Sequence, residues 1–264
     1  MKLRPNKKIF YPILQKYFLS GIHYGHKPKF WNPKMAPYIS SEKYGLHVFN
    51  LVKTYKLLKL TKNILQKNNY QNKDILIVGT SKTASKIVEE IAEQTKIFYI
   101  NYRWLGGMLT NWHTFQKRIQ LLKQLELEYG TGRFNDLSKK KFNKKQKMLE
   151  KLTRIFKGIK NMESLPKIVI FTSQLKEKLA IAECHKLGIP TICIVDSNCD
   201  PDLVTYPIPA NDDSPRGIAL ILKDLLESSQ NEVHKVKLIK NFLTKQTLFV
   251  KKNISFKETF TNLR

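Results

Sequence analysis

The run DILIVG occupies residues 74–79 and consists of one acid, four aliphatic residues and a closing glycine. The segment after it, residues 81–94, has the apolar spacing of an amphipathic helix, at Ala84, Ile87, Val88, Ile91 and Ala92. A short strand without interior polar positions, followed at once by a helix, is typical of a parallel sheet covered on both faces. This stretch therefore predicts a strand–helix unit of an α/β protein.

The same alternation continues towards the C-terminus. Further strands are predicted over residues 96–101, 167–172, 191–196 and, more briefly, 205–208. Helices are predicted over residues 212–229 and over 175–187, which Gly188 and Pro190 close. Repeated units of this kind join parallel strands by right-handed crossovers. We therefore predict an α/β fold, a parallel sheet with helices on both faces.

Residues 114–160 interrupt this alternation. Apolar residues recur there three and four positions apart on both sides of Gly130-Thr131-Gly132. Two helical stripes joined by a glycine-containing turn predict an antiparallel helical hairpin. It would project from the sheet as an insertion, with its Lys-rich second helix exposed. The alternative is that these are two bundle helices of one domain.

The charge of the chain is strongly positive. Its 264 residues include 47 Lys and Arg against 21 Asp and Glu, which gives a net charge of +26 and a pI near 9.9. The excess is concentrated in residues 1–43, 138–160 and 234–264, each of which contains a single acid. Cations that neutralise phosphates release counterions, so these clusters predict a polyanionic partner. An anionic membrane surface and a compositional drift towards lysine are the alternatives.

Several classes of protein are excluded by composition. No apolar run approaches the roughly 18 residues of a membrane-spanning helix, and 42% hydrophobic residues suffice for a folded core. The three cysteines, nine and six positions apart, form neither a zinc ribbon nor a disulfide framework. Ser173 and Ser197 have no base and orienting group that the sequence places nearby. We therefore predict that the protein is not an enzyme.

Aromatic residues interleaved with basic ones suggest how RNA could be bound. Planar side chains stack on unpaired bases while Lys and Arg hold phosphates. The segments KPKFWNPK (27–34), RWLGG (103–107) and NWH (111–113) have this character. The predicted RNA-binding residues, with those of the hairpin, are Lys27, Lys29, Trp31, Asn32, Lys34, Arg103, Asn111, Lys117, Arg118, Lys140, Lys144, Lys147 and Lys151. Alternatively, Trp104 and Trp112 are core residues at the root of the hairpin. We expect Trp104 to be structural and Arg103 to point outward.

A group of aspartates follows the strand predicted to end at Asp196, where open α/β sheets have their crevices. Carboxylates are ligands for hard divalent cations, so one hypothesis is a structural cation site formed by Asp196, Asp212, Asp213 and His23. The alternative, which we favour, is that these aspartates cap helices and close turns. No other cofactor is predicted.

The turn GTSKT (79–83) joins a strand to a helix, where a phosphate could bind. It lacks the spacing of a P-loop or a dinucleotide fingerprint, which favours an ordinary turn with Ser81 as the helix cap. Two further hypotheses remain open. One is an α/β enzyme that binds a sugar phosphate or nucleotide in the crevice after Gly79, Tyr102 and Asp196. The other is a scaffold that binds only proteins through its hairpin.

Five segments, taken in order, resemble a known family. They are GIHYGHKPKFWNPKMAPYI (21–39), ILIVGT (75–80), NYRWLGGMLTNW (101–112), LPKIVIF (165–171) and LGIPTICIVDSNCDPDLVTYPIPANDD (187–213). Over residues 17–229 the chain is similar to the family of the second small-subunit ribosomal protein, the S-two family. The run containing Cys193, Cys199 and IPANDD resembles plastid-encoded members most. The chain departs from many members at Thr172-Ser173-Gln174, where those have an Asp.

The resemblance implies a flavodoxin-like (Rossmann-like) parallel sheet with a helical hairpin between its second and third strands. It implies a non-enzymatic constituent of the small ribosomal subunit. The implied partners are small-subunit ribosomal RNA and neighbouring ribosomal proteins, including the large one that captures messenger RNA. Neither a membrane nor a second copy of the chain is implied. The implied location is an organellar ribosome, in the chloroplast or plastid stroma, with a mitochondrion or a bacterial cytoplasm as alternatives.

The predicted domain organisation combines the periodicity with the extent of the resemblance. A basic N-terminal extension covers residues 1–16. The α/β core covers residues 17–112 and 161–229, and the inserted hairpin covers residues 113–160. Residues 230–264 form a basic C-terminal tail.

Overall fold

The computed structural model describes residues 7–68, 70–134 and 138–226. Its helices are α1 (Lys7–Leu19), α2 (Leu51–Lys67), α3 (Ser85–Thr95), α4 (Trp112–Gly130), α5 (Lys139–Phe156), α6 (Lys178–Lys186) and α7 (Pro215–Leu226). Its strands are β1 (Ile39–Lys43), β2 (Leu46–Phe49), β3 (Ile75–Val78), β4 (Phe98–Ile100), β5 (Ile168–Phe171), β6 (Thr191–Val195) and β7 (Tyr206–Pro209). Short 3-10 helices cover Pro28–Phe30, Pro33–Tyr38, Asn72–Asp74, Lys157–Ile159 and Pro201–Leu203.

The central sheet has five parallel strands in the order β4-β3-β5-β6-β7. The chain first places β4 on one side of β3 and then crosses over to place β5 on the other side. This is the flavodoxin-like order, in which a crevice opens beyond the carboxyl ends of β3 and β5. The predicted α/β fold is confirmed. Each predicted strand forms, with its ends shifted by no more than two residues.

Both faces of the sheet are covered, which explains the uninterrupted apolar strands. Ile75 and Ile77 of β3 face a core shared with α2, α3 and α7, whereas Leu76 and Val78 face a core shared with α4 and α6. All four side chains are at most 5% exposed. Burying one such side chain contributes about 1.5–3 kcal/mol, so the fully buried strands contribute substantially to the stability of the core.

The helices α4 and α5 form the hairpin, between the second and third strands of the parallel sheet. At its tip, the ring of Phe134 packs edge-on against those of Tyr129 and Phe142. At its root, Phe115 of α4 and Phe156 of α5 are buried in the core beneath the sheet, with their ring centroids 6.1 Å apart. The root of the hairpin is therefore part of the core, whereas its far end is held together by its own aromatic side chains.

The N-terminal region contains elements that the periodicity did not predict. Strands β1 and β2 pair as an antiparallel hairpin around Tyr44 and Gly45, whose φ angles are 53° and 71°. Positive φ at both positions is typical of a type I′ turn, which suits the twist of a two-residue hairpin. The predicted boundary at residue 17 lies inside α1, and the buried Tyr17 donates a hydrogen bond to Asp224 of α7 at 2.8 Å.

Three further predictions concern the ends of the chain and its thiols. Residues 227–229 of the predicted last helix, the basic tail at 230–264 and residues 1–6 lie outside the described residues.

The cysteines are buried free thiols, and burial raises the pKa of Cys184 and of Cys199 to about 12. Among the described helices, none combines the length and the apolar character that crossing a membrane requires.

Candidate nucleic-acid interface

The loop that joins β4 to α4 carries the most informative of the predicted segments. Trp104 is 9% exposed, and its indole Nε1 donates a hydrogen bond to Oε1 of Glu183 at 3.0 Å. A buried tryptophan needs a partner for its N–H, and α6 supplies it. The structural role expected for Trp104 is therefore confirmed.

Glu183 organises this whole loop. Its carboxylate also accepts hydrogen bonds from the backbone N–H groups of Gly107 at 2.7 Å, Leu109 at 3.0 Å and Thr110 at 3.3 Å. Burial alone would raise the pKa of Glu183, but the hydrogen bonds from Trp104 and the three amides outweigh it and hold the pKa below its usual range. The carboxylate is therefore charged, and it fixes the loop against α6.

Glu183 is not among the site residues predicted from the sequence. The available signal was an acid on the otherwise apolar face of the predicted helix at 175–187, beside Ala180, Ile181 and Cys184. A charged side chain is rarely buried unless it is paired, so such a position predicts a partner that donates hydrogen bonds. The sequence did not show which loop supplies that partner.

The anchored loop presents the two residues before Trp104 to solvent. Arg103 is exposed, and Tyr102 is 49% exposed. The guanidinium of Arg154, on α5, lies 5.4 Å from the centroid of the Tyr102 ring, within cation–π distance. At the start of α4, Asn111 is exposed and its Oδ1 accepts a hydrogen bond from the Thr114 hydroxyl at 2.8 Å.

Some lysines of the hairpin form internal ion pairs, and others form none with the described residues. Those in internal ion pairs are Lys145 with Glu128, Lys157 with Glu89 and Glu93, and Lys160 with Glu126. The predicted RNA-binding lysines of α5 are all exposed, and none pairs with an acid among the described residues: Lys140, Lys144, Lys147 and Lys151. Their spacing of four, three and four places them on one face of α5. We call this row the lysine stripe.

The predicted basic residues of α4 are exposed too, but one of them has an internal contact. Lys117 is exposed and has no ion pair among the described residues. The guanidinium of Arg118 lies 5.4 Å from the centroid of the Phe115 ring. Arg118 therefore covers a core aromatic residue with part of its side chain.

The segment at 27–34 is partly engaged within the protein. Lys27 and Lys29 are exposed, and Trp31 is 38% exposed with its ring 5.2 Å from that of His47. Asn32 accepts a hydrogen bond from the Lys34 backbone N–H at 3.0 Å, which caps the following 3-10 helix. Asn32 therefore has a local structural role.

Lys34 also has internal partners. Its ammonium lies 2.8 Å from a carboxylate oxygen of Asp200 and 2.9 Å from one of Asp202. Hydrogen bonds to these carboxylates raise the pKa of Lys34. Two acids offset its charge, so Lys34 is less available to a phosphate than Lys27 and Lys29 are.

The predicted cation ligands are only partly brought together. Asp196 and Asp212 are buried near each other, but Asp213 is 72% exposed. His23 stacks on Phe18, whereas Nδ1 of His26 lies 3.0 Å from Oδ1 of Asp196. In the described ranges, no three His, Cys, Asp or Glu side chains are grouped so that they could hold a metal ion. The cation site stays a prediction of the sequence.

His26, rather than His23, is the histidine of this cluster. Hydrogen bonding to Asp196 raises the pKa of His26, against the effect of burial, and Asp212 and Asp213 add to the rise. Its Nε2 lies 3.7 Å from Oδ2 of Asp213, so both ring nitrogens face carboxylates. Neither nitrogen is then directed at a serine hydroxyl, and the hydroxyl oxygen of Ser197 accepts a hydrogen bond from the backbone N–H of His26 at 2.8 Å.

The turn after β3 is filled by a side chain of the protein itself. Oε1 of Glu177 accepts hydrogen bonds from the Thr80 backbone N–H at 2.7 Å and from the Thr80 hydroxyl at 2.9 Å. A phosphate bound at this turn would need the same N–H. Ser81 accepts a hydrogen bond from the Ala84 N–H at 3.2 Å within an ordinary turn. The prediction that Ser81 caps the helix is wrong, because α3 begins later, with Ala84 at its cap position. These contacts disfavour nucleotide or sugar-phosphate binding in the crevice.

The buried carboxyl of Glu177 gives a pH-dependent expectation. Burial, reinforced by the charge of Asp212, raises the pKa of Glu177 to about 7. Between about pH 4.5 and 7, Glu177 therefore carries a proton in the folded state but has lost it in the unfolded state. The stability that this group contributes is therefore fully present below its unfolded pKa and is lost as the pH rises through 7, by about 1.4 kcal/mol per pH unit.

Replacing Glu177 with Gln should remove this loss. Gln keeps an oxygen for Thr80 but has no charge to desolvate, so the variant should gain about 2–3 kcal/mol over the wild type between pH 5 and pH 8. Urea unfolding across that range measures the gain. The control is the exposed Glu163→Gln, which should reproduce the wild-type profile. If the free energy of unfolding changed with pH in parallel for Glu177→Gln and the wild type, Glu177 would not be the group that causes the loss of stability.

The fold and this surface define a class of protein: a basic α/β protein whose parallel sheet carries a Lys-rich helical hairpin between its second and third strands. Comparison with known proteins places the chain within that class. It belongs to the family described as ribosomal protein S2, whose family model matches residues 18–232.

Individual relatives cover most of the chain. It is 47% identical over 215 residues to small ribosomal subunit protein uS2c of Phaeodactylum tricornutum, an alignment that spans 81% of this chain and 95% of the relative. It is 46% identical over 209 residues to uS2c of Guillardia theta, spanning 79% and 89% of the two chains. It is 43% identical over 217 residues to uS2 of Dictyoglomus thermophilum, spanning 82% and 88%.

Proposed function

We propose that this chain is a structural, non-catalytic constituent of the small ribosomal subunit and that it binds small-subunit ribosomal RNA through the inserted hairpin. Membership of the ribosomal protein S2 family supports the ribosomal role. The observation that carries the RNA contact is the lysine stripe. Its four ammonium groups lie on one face of an 18-residue helix, with no ion pair to an acid of the described chain.

The division of the hairpin lysines supports this assignment. If the excess of positive charge were only compositional drift, the acids of the hairpin would be expected to pair with the lysine stripe as often as with the other lysines. Instead, Glu126 and Glu128 pair with Lys160 and Lys145, and the lysine stripe is left to solvent. Unpaired lysines at close spacing repel one another, and a phosphate backbone relieves that repulsion while releasing counterions.

The test is to replace the lysine stripe with glutamines: Lys140→Gln, Lys144→Gln, Lys147→Gln and Lys151→Gln together. Each lost phosphate contact should reduce the slope of log affinity against log salt concentration by roughly 0.7–0.9, so four contacts should reduce it by about 3. Exposed charges contribute little to folding, so the unfolding midpoint should barely change. The measurement is a salt titration of binding to small-subunit ribosomal RNA.

The matched control removes the same charge from elsewhere on the surface. The exposed lysines Lys56, Lys59, Lys73 and Lys176 serve this purpose. Their replacement with glutamines should leave most of the slope in place. If both quadruple variants flattened the slope equally, the net charge rather than the lysine stripe would govern RNA binding.

We propose neighbouring ribosomal proteins, including the large messenger-RNA-binding one, as protein partners, with residues 113–160 as an RNA-binding insertion in the α/β core. Most of the similar proteins are plastid-encoded uS2c proteins, which supports a plastid ribosome as the location. Co-sedimentation with plastid small subunits in high salt tests the association. Association that survives ribonuclease would favour contacts with proteins alone.

A further inference from the structure

A groove of about 380 Å³ lies where the anchored loop meets α5. The loop contributes Tyr102, Arg103 and Leu105 to its lining, and α5 contributes Lys147, Lys151 and Arg154 among others. The groove therefore begins at the root of the hairpin and opens onto the end of the lysine stripe.

The lining of the groove has an excess of positive charge. It contains four cations and a single acid, Glu150, whose Oε1 accepts a hydrogen bond from Gln146 at 3.2 Å. Arg103, Lys147 and Lys151 form no ion pair with the described residues. The backbone of Arg103 is fixed in position, because the next residue, Trp104, is held by its hydrogen bond to Glu183. Positive charge held in place in this way is complementary to a phosphodiester.

The groove also contains an aromatic platform. Half of the Tyr102 surface is exposed, and the Arg154 guanidinium lies 5.4 Å from the centroid of its ring. Leu105 and Ile155 add apolar surface beside this pair. A tyrosine ring and a guanidinium plane are the groups on which unpaired bases stack. A base inside a duplex is already stacked on its neighbours and offers no free face to such a platform.

We propose that this groove holds one unpaired RNA nucleotide, with its base against the Tyr102–Arg154 pair and its flanking phosphates on Arg103, Lys147 and Lys151. This inference rests on the proposed function and names the RNA feature that the hairpin recognises. The RNA chain that leaves the groove would continue along α5 towards its N-terminus. Lys144 and Lys140 lie in that direction, and Lys140 is about 16 Å along the helix from Lys151. The charge favours RNA over a protein segment, which would have to be strongly acidic to fit.

The experiment compares two RNA hairpins that differ by one bulged nucleotide, with intact small-subunit ribosomal RNA as a third ligand. The wild-type protein should bind the bulged hairpin roughly 5- to 150-fold more tightly than the fully paired one, the range expected for one stacked base. Tyr102→Leu should abolish this preference and leave the affinity for the paired hairpin unchanged. Tyr102→Phe keeps the ring and should keep the preference.

Each outcome separates this inference from the function on which it rests. If the wild type bound both hairpins equally, or if Tyr102→Leu kept the preference, the nucleotide site would be overturned while RNA binding stood. If the protein failed to bind the ribosomal RNA at all, the proposed function would fall first. Binding of a poly-glutamate peptide that depends on Tyr102 would assign the groove to a protein partner and overturn the inference. An unfolding midpoint for Tyr102→Leu equal to that of the wild type verifies the fold.

Discussion

Replacing Glu183 with alanine should lower the free energy of unfolding by about 4 kcal/mol or more. The change leaves the Trp104 indole and the amides of Gly107 and Leu109 without acceptors, and each unpaired buried donor costs about 1–3 kcal/mol. Trp104→Ala removes the other half of the anchor and should cost about 3–5 kcal/mol, the usual range for a buried aromatic side chain. Urea unfolding at neutral pH measures both effects.

The control for this pair is Arg103→Ala. Arg103 is exposed, so its loss should spare stability and weaken RNA binding or assembly into the subunit. Trp104→Ala, by contrast, should lower the unfolding midpoint sharply. A stable Trp104→Ala variant that no longer binds RNA would contradict the structural role assigned to this tryptophan.

The second large effect is expected at Gly158, where the chain returns from the hairpin to the sheet. A Cβ at this position would lie 2.1 Å from the backbone oxygen of Tyr99 in β4 and 2.7 Å from its ring. Real Cβ atoms do not approach backbone so closely, so Gly158→Ala must push the return segment away from β4. We expect a loss of about 3 kcal/mol or more in the free energy of unfolding, measured by thermal or urea denaturation.

Gly130 provides the matched comparison within the same hairpin. It is the last residue of α4, and a Cβ there would meet no atom within 4 Å. Gly130→Ala should therefore be neutral or stabilise the protein by up to about 1 kcal/mol through helix propensity. A Gly158→Ala variant that unfolded at the wild-type midpoint would show that the return segment is not tightly packed on β4.

The strands and the hairpin could be predicted because their signals are local. The run at 75–78 has no polar residue because both faces of β3 are covered, and the apolar spacing of α4 marks the face that packs on the sheet. The β1–β2 hairpin was missed because its turn, Tyr44-Gly45, lacks the usual Asn-Gly or Asp-Gly signal. Here a tyrosine adopts the left-handed conformation that Asn usually provides.

The candidate site was less predictable because its contacts join distant parts of the chain. Glu183 meets a loop more than 70 residues earlier, and His26 meets Asp196 across 170 positions. The sequence placed His23 near the N-terminus and aspartates after β6, but periodicity could not show that His26, rather than His23, would meet Asp196. Lys34 resembled the other exposed lysines until the structure paired it with Asp200 and Asp202.

The ion pairs that some lysines of the hairpin form within the chain have a consequence for ribosome assembly. Lys145 and Lys157 are neutralised by acids of the chain itself, and the aromatic side chains at the tip hold α4 and α5 together. The described residues of α4 and α5 are therefore held in place by contacts within the chain itself. If the hairpin binds RNA as proposed, the RNA meets a preorganised surface, and the protein loses little conformational entropy when the two associate. Association should then be fast and steered by charge, with the RNA rather than the protein supplying most of the rearrangement.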